Sequence, residues 1–143
     1  MMKHTILILF LFLSLLCHGQ SYKFFTTDRE LSSSLINKIY QDRNGMIWIA
    51  TEDGLNRYDG AKFITYKHDP ENEYSLCHNY VRVLYEDSKG RLFVGTYNGI
   101  QLYDPETDSF SARAQWEDGK TFDSNIMSIL ERRNGEIWVS GNN

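Results

Sequence analysis

The sequence predicts an all-β chain of β-propeller blades, each with four antiparallel strands, in an incomplete ring of about two and a half blades. The first observation is a repeat. Residues 42–60 (DRNGMIWIATEDGLNRYDG) return 45 positions later at residues 87–105 and begin again at residue 132. The second observation is a series of short apolar runs that break at Gly, Asn or Asp and show no helical period. One supersecondary unit repeated at a period in the 40s is typical of a propeller.

The first 20 residues are predicted to be a signal peptide rather than part of the fold. Lys3 and His4 precede a 12-residue apolar run at residues 5–16, which is short for a membrane span. The small Gly19 follows, so cleavage is expected near it; an uncleaved anchor is the alternative.

The two cysteines suggest no internal disulfide in the exported chain. A lipoprotein would use Cys17, but Leu16 stands where such a site needs a small residue. After cleavage only Cys77 remains, in an apolar setting that favours a small buried residue over a reactive thiol.

The remaining chain divides into units of one repeat each. Residues 21–34 are predicted to hold a strand at 21–27, the closing strand of a propeller in the parent protein, and a linker. The first blade is residues 35–79, the second is residues 80–124, and a partial third is residues 125–143. The predicted strands are 35–41, 46–50, 54–58 and 63–67, then 80–86, 91–95, 99–103 and 109–114, then 125–131 and 136–140.

Tight turns join the first two strands of each blade. Asn44-Gly45 and Asn134-Gly135 are strong hairpin signals because both residues tolerate positive φ. Asp42 and its counterpart Asp87 are placed to accept hydrogen bonds from the turn's backbone N–H groups. Arg132 replaces this aspartate in the third unit, so we expect that turn to be held less well.

Residues that keep the 45-residue spacing are predicted to serve the blade itself. Three aromatic rings recur in the second strand, which neighbouring blades sandwich, and structural packing explains a recurrent ring better than sugar stacking does. The structural repeat positions are Gly45, Trp48, Gly54, Tyr58, Gly90, Phe93, Gly99, Tyr103, Gly135 and Trp138.

These positions resemble the two-component regulator propeller repeat. The first copy matches from Ile36 to Asp59, including the IWIAT and GLNRYD segments, and the second copy matches from Leu84 to Asp104. The resemblance implies the periplasmic sensor region of a hybrid two-component histidine kinase of the Bacteroidetes type. It further implies a parent protein that is anchored in the inner membrane, forms a homodimer, detects oligosaccharides and regulates glycan-utilisation genes.

The chain itself is expected to be a truncated piece of such a sensor. It shows no kinase, receiver or DNA-binding segment and no apolar span after the signal peptide, so no enzyme activity is predicted for it. The alternative is a free-standing exported module that completes its ring by self-association and mediates protein–protein interaction. An enzyme built on a propeller would need an acid, base or metal cluster, and none stands out.

Charge and residue pattern exclude further classes of binding partner. The formal net charge is -4 and no basic cluster forms, which argues against nucleic acid. Asp104, Glu106 and Asp108 alternate as calcium ligands do, but a turn explains them equally and the glycine and distal glutamate of a calcium loop are missing. No cofactor, metal or catalytic residue is predicted.

Large residues that break the 45-residue spacing are the better candidates for ligand binding. Tyr97 stands where the first blade has Glu52, beside the Asn98-Gly99 turn. Trp116, in the connection between the second and third blades, stands where the first blade has Glu71. Exposed aromatic rings suit carbohydrate stacking; covering the blade edge is the alternative role.

Overall fold

The computed structural model describes residues 22–27, 30–115 and 119–142. These residues form ten strands, which are β1 (Ile36–Gln41), β2 (Ile47–Thr51), β3 (Gly54–Tyr58), β4 (Phe63–Tyr66), β5 (Val81–Glu86), β6 (Leu92–Thr96), β7 (Gly99–Asp104), β8 (Ser109–Phe110), β9 (Asn125–Glu131) and β10 (Ile137–Asn142). The predicted signal peptide lies outside the described residues. Within them, no helix is long and apolar enough to cross a membrane.

The strands assemble as consecutive antiparallel blades. One sheet has the order β1-β2-β3-β4, a second has the order β5-β6-β7-β8, and a third consists of β9 and β10. The predicted fold class, a partial propeller of four-stranded antiparallel blades, is confirmed. Strands β1, β5 and β9 contact one another from blade to blade, so they form the inner edge, and β4 and β8 lie outermost.

Two predicted strands differ from the structure. Residues 22–27 form no strand; Phe25 instead packs against the rings of Tyr58 and Phe63 at 5.1 and 4.9 Å. The strand predicted at 109–114 is assigned only at Ser109–Phe110, although the Ala114 amide still bonds to the Ile100 carbonyl oxygen at 3.0 Å. Local β propensity does not reveal whether a neighbouring strand continues in register.

The hairpin that opens each blade places only its glycine at positive φ. Gly45, Gly90 and Gly135 have φ of 84°, 83° and 84°, whereas Asn44 and Asn134 do not have positive φ. Of the two turn residues that tolerate positive φ, only the glycine adopts it. A turn that ends in a left-handed glycine needs only that one residue without a Cβ atom.

The aspartate before the turn holds the first two hairpins. Asp42 Oδ1 accepts hydrogen bonds from the Asn44 and Met46 amides at 2.9 and 3.0 Å, while its Oδ2 accepts from the Trp48 indole at 2.8 Å. Asp87 repeats the two backbone bonds. One carboxylate therefore fixes both the hairpin and, in the first blade, the core tryptophan.

The third hairpin reverses this charge pattern. Arg132 pairs with Glu136 at 3.1 Å, and the Asn134 side-chain oxygen accepts from the Glu136 amide at 3.2 Å. The Trp138 indole bonds to Glu136 and is the largest cause that lowers the pKa of that carboxyl group. Counted within the repeat, the carboxylate of Glu136 thus sits four positions after the place that Asp42 and Asp87 occupy in theirs. It caps fewer backbone amides than they do.

Apolar packing between the first two blades centres on Trp48. This ring is fully buried and lies 4.7 Å from Tyr103 and 5.9 Å from Tyr66. It belongs to a buried cluster drawn from both blades, whose members are Trp48, Ala50, Leu55, Leu76, Val81, Leu84, Leu92, Val94 and Phe110. The second-strand ring therefore faces the next blade along the chain.

The second blade contacts the third in the same way, and the third presents its own ring to solvent. Phe93 packs against the cluster of Ile100, Ile126 and Ile129. Trp138 is 56% exposed, and no further blade among the described residues covers it. Burial at this position depends on a neighbouring blade, not on the blade's own sequence.

An arginine and a carboxylate tie the outer parts of the first two blades. The Arg57 guanidinium lies 5.7 Å from the ring centres of Trp48, Tyr66 and Tyr103 and pairs with Asp108 at 2.8 Å. Both tyrosine hydroxyls also donate to Asp108. Burial and the bond to Asp108 raise the pKa of Tyr103 to about 12.

A second polar link joins the inner strands. Glu86 accepts hydrogen bonds from the Tyr40 hydroxyl at 3.0 Å and from Arg43 at 2.6 Å, both in the preceding blade. One repeat later, Glu131 accepts from the Ser88 amide and hydroxyl at 2.8 and 2.6 Å. Each blade thus hydrogen-bonds to the hairpin of the blade before it.

Removing the central ring should strongly destabilise the fold. We expect Trp48→Ala to lower the free energy of unfolding by about 3–5 kcal/mol, because it leaves a cavity between two blades. Chemical denaturation followed by circular dichroism measures this. Tyr74→Ala, which truncates a 56% exposed ring, is the matched control and should cost little. Equal losses for the two variants would contradict the packing role of Trp48.

Acid should weaken the Arg57–Asp108 link. Burial acts to raise the pKa of Asp108, but bonds from Tyr66 and Tyr103 and the charge of Arg57 outweigh it and hold that pKa below its ordinary value. The stabilisation is therefore present above the ordinary carboxyl pKa of about 4 and is lost as pH falls through the lower folded value. Asp108→Asn should reduce stability at pH 7 and flatten its decline below pH 4, measured by denaturant midpoints. An unchanged decline would exclude Asp108 as its source.

Candidate functional site

The blades present a common face at the end where the turn after each second strand meets the start of each inner strand. We call it the variable face and define it by residues 33–37, 52–53, 78–82, 97–98, 123–127 and 142. The hairpins described above lie at the opposite end of the blades. Whatever approaches the variable face meets side chains from all three blades.

Repeated polar bonds fix the backbone of this face. Thr51 Oγ1 donates to the Gly54 carbonyl at 2.8 Å and accepts from the Asp53 amide at 3.1 Å. Thr96 makes the same two bonds, both at 3.1 Å, around Gly99. A Cβ atom on Gly99 would lie 2.8 Å from the carbonyl oxygen of Phe122, so the glycine allows the segment that leads into the third blade to approach.

The segment that leads into the second blade is anchored beneath the face. The Cys77 amide donates to Gln101 Oε1 at 2.7 Å, and Cys77 Sγ lies 3.1 Å from Thr96 Oγ1. Burial raises the pKa of the thiol. Cys77 is half-buried and sits among polar atoms, whereas a small buried residue in an apolar setting was predicted. Ser32 makes the corresponding contacts with Asn56 and Thr51 in the first blade.

A β-bulge recurs at the start of each inner strand. The register skips Asn37 between Ile36 and Lys38, and it skips Arg82 in the second blade. In the third blade it skips Met127. An unpaired bulge residue is turned out of the alternation of its strand, and bulges are frequent beside functional sites for this reason.

Several positions of the variable face differ in chemistry among the three repeats. Its equivalent positions carry Ser33, His78 and Asp123; Leu35, Tyr80 and Asn125; Asn37, Arg82 and Met127; and Glu52, Tyr97 and Asn142. Packing requires none of these differences, because the glycines and threonines that shape the first two blades are kept. The variation therefore points to a role other than folding.

Tyr97 stands at the centre of this face and is 55% exposed. Its ring centre lies 5.6 Å from that of His78 and 6.1 Å from that of Tyr80. Beside it is a cavity of about 470 Å³ lined by His78, Tyr97, Asn98, Asp123, Asn125 and Asn142. The cavity combines aromatic faces with side-chain amides, which donate and accept hydrogen bonds.

Tyr80 connects the first and second blades across this face. Its hydroxyl donates to Glu52 Oε1 at 3.0 Å, and this bond is the largest cause that raises the pKa of Tyr80. The His78 Nδ1 atom accepts from the Tyr80 amide at 2.9 Å. Burial lowers the pKa of His78, so the imidazole is favoured in its neutral form.

The structure describes one of the two predicted ligand-binding residues. Tyr97 lies on the cavity beside the turn, and its role stays a prediction. Trp116 lies outside the described residues. On either side of Trp116 in the sequence, the described residues Gln115 and Thr121 line a different cavity. It has a volume of about 500 Å³ and lies near Cys77.

Sequence reasoning missed Tyr80 and Arg82 and regarded His78 as an ordinary residue. The signal was available in the 45-residue spacing, because Tyr80 replaces Leu35 and Arg82 replaces Asn37. The bulge that turns Arg82 toward the face has no local sequence signature.

The acidic segment at the outer edge is occupied by its own contacts. Asp104 accepts from the Glu106 amide at 2.9 Å and the Thr107 hydroxyl at 2.8 Å, and Asp108 is held by Arg57. Within the described ranges, no group of three His, Cys, Asp or Glu side chains is arranged to hold a metal ion. The turn explains these acids.

Removing the partner of Tyr80 should shift its ionisation. Because the Glu52 bond is the largest cause of the raised pKa of Tyr80, Glu52→Gln should lower that pKa toward its ordinary value. Carbon-13 NMR of the tyrosine ring during an alkaline titration distinguishes Tyr80 from the other tyrosines. Tyr74 serves as the internal reference, and a shift of equal size at both residues would contradict the contact.

Comparisons with known proteins agree with this architecture. Residues 30–53 and 75–98 match the family described as Two component regulator propeller. Histidine kinase P4 of Formosa agariphila is 40% identical over 73 residues, which cover 48% of this chain and 5% of that protein.

Two solved structures from B. thetaiotaomicron are also similar. The extracellular domain assigned to the hybrid two component system BT3049 has a TM-score of 0.69 and 29% identity, over 82% of this chain and 17% of that one. The corresponding domain of BT4673 has a TM-score of 0.67 at 24% identity, over 86% of this chain and 18% of that one, and supports the fold alone. The chain spans less than a fifth of each. Residues 30–53 and 75–98 thus match the two-component regulator propeller repeat, and the fold is a partial β-propeller like those in the extracellular domains of hybrid two-component systems.

Proposed function

We propose that this chain is part of the periplasmic ligand-sensing propeller of a hybrid two-component histidine kinase, and that its variable face binds an oligosaccharide. The segment supplies recognition, and phosphate transfer belongs to other parts of the parent protein. Regulation of glycan-utilisation genes is the output that such recognition would serve. The likeness to extracellular domains supports the periplasmic location.

One observation carries the proposal. Residues that break the 45-residue repeat lie together at one end of the blades. His78, Tyr80 and Tyr97 come from two separate segments, yet the Tyr97 ring lies 5.6 Å from that of His78 and 6.1 Å from that of Tyr80, beside a cavity. The repeated positions that shape the blades lie beneath them. A rigid scaffold with variable loops at one end is the usual arrangement of a binding surface.

Oligosaccharide fits the chemistry of this surface better than an apolar ligand does. A sugar ring presents C–H groups on one face, which pack on an exposed tyrosine, and hydroxyl groups around its edge. Asn98, Asn125 and Asn142 line the same cavity with amide groups that donate to and accept from hydroxyls. Because His78 Nδ1 already accepts from the Tyr80 amide, the neutral imidazole adds its Nε2–H as one further donor.

Self-association is the rival proposal, and open apolar surfaces favour it. Ile39 is 59% exposed on the first blade, and Leu130 is 58% exposed on the third. In the second and third blades, Glu86 and Glu131 bond to the hairpin of the preceding blade. In a head-to-tail contact between copies, the first blade of one copy would have to make this link, and it has Gln41 at that position. A neutral amide there would not form the ion pair that Glu86 makes with Arg43, so the inner-strand link favours the sensor.

Truncating the central ring should weaken ligand binding. We expect Tyr97→Ala to reduce oligosaccharide affinity by about 2- to 10-fold, the effect of losing one aromatic contact of roughly 0.5–1.5 kcal/mol. Calorimetry on the full-length protein measures this, with Trp116→Ala tested alongside because the sequence singles out that ring too.

Tyr74→Ala is the matched control, since Tyr74 is equally exposed but lies away from the variable face. Its affinity should equal that of the wild type. If Tyr97→Ala and Trp116→Ala both bind as the wild type does, these rings take no part in recognition.

A further inference from the structure

We infer that Arg82 recognises an anionic group, a carboxylate or a sulfate, on the bound oligosaccharide, so that the ligand is an acidic rather than a neutral sugar. The inference rests on the proposed function and adds the class of ligand. Arg82 is the charged member of the bulge series, since Asn37 and Met127 occupy the same position in the other blades.

The bulge sets the position of the guanidinium. Arg82 is skipped in the pairing of β5 with β6, and its group stands 5.7 Å from the ring centre of Tyr80. One of its nitrogens donates to Asn125 Oδ1 at 3.2 Å. Asn125 lines the cavity beside Tyr97, so Arg82 is bonded to a residue of the cavity wall and links the second and third blades there.

Arg82 has no ion pair among the residues that the structure describes. Most other arginines there do, as in the pairs Arg43–Glu86, Arg57–Asp108, Arg91–Asp87, Arg113–Asp123 and Arg132–Glu136. Arg133 is also without one, but it is exposed on the third hairpin, whereas Arg82 is partly buried. Partial burial of an unpaired charge is costly, and an arriving anion would offset that cost.

The carboxylates near the site already have partners. Glu52 accepts from the Tyr80 hydroxyl, Asp123 pairs with Arg113 at 2.6 Å, and Asp53 pairs with Lys67 at 2.6 Å. A guanidinium has five N–H donors in a planar fork, and only one bond of Arg82 is given to Asn125. The remaining donors match the two oxygens of a carboxylate or sulfate.

The test compares acidic oligosaccharides with partners that differ only in charge. One arm uses oligogalacturonate and its methyl ester, and the other uses a κ-carrageenan tetrasaccharide and its desulfated form. A glycan array of neutral, uronate-containing and sulfated oligosaccharides is screened first, and the strongest acidic ligand found there is added with its neutralised form. Affinities are measured by calorimetry on the full-length wild-type protein and on Arg82→Gln, Arg82→Lys and Lys62→Gln.

We expect an acidic ligand to bind about 10- to 100-fold more tightly than its neutralised form, the effect of charge-assisted bonds. Arg82→Gln should remove that difference, and Arg82→Lys should restore only part of it. Lys62→Gln removes a charge on the outer edge of the first blade and should change nothing. The wild-type comparison stands even if Arg82→Gln fails to fold.

The other outcomes either overturn the role of Arg82, overturn the proposed function as well, or identify the anionic group. Preference for neutral sugars, or an acid preference unchanged in Arg82→Gln, overturns the role of Arg82 and leaves the proposed function in place. Binding of no oligosaccharide on the array to the wild type overturns both. Preference in one arm alone identifies the anionic group as carboxylate or as sulfate.

Discussion

Packing between blades is the constraint on which this structure depends. A four-stranded antiparallel blade has two apolar faces and buries them only against its neighbours. Trp48 shows the consequence. The ring is fully buried because the second blade covers it, and its indole N–H is satisfied by Asp42 of its own blade. One side chain therefore joins the hairpin to the interface.

The same constraint separates positions that shape the blades from positions that are free to vary. Thr96 and Gly99 must stay as they are because the turn and the approach of the segment that leads into the third blade need them. Tyr80 and Tyr97 lie above Thr96 and Gly99, and the packing of the blades does not require either ring. The scaffold thus holds a variable surface in place, and the bulge at Arg82 extends that surface toward the third blade.

Much of the fold was predictable from the sequence because its causes are local and repeated. Gly45, Gly90 and Gly135 mark the hairpins, and Asp42 caps its turn as expected. What could not be predicted depends on a neighbour. Residues 22–27, for example, pack through Phe25 instead of forming a strand.

The candidate site was predictable in part. Tyr97 could be found because it breaks the repeat beside a recognisable turn. The position of Arg82 on the variable face could not be predicted, because a bulge depends on how two strands pair. The sequence of one strand alone does not determine that pairing. Its lack of an ion pair within the described ranges is likewise a property of the assembled blades.

The central claim is that the end of the blades carrying the variable residues, and not the hairpin end, meets the ligand. Hydrogen–deuterium exchange of the full-length protein with and without a bound oligosaccharide tests it most directly. The account predicts protection in residues 78–82, 97–98 and 123–127 and no change in the hairpins at 42–46 and 87–91. Protection confined to the hairpins would contradict it.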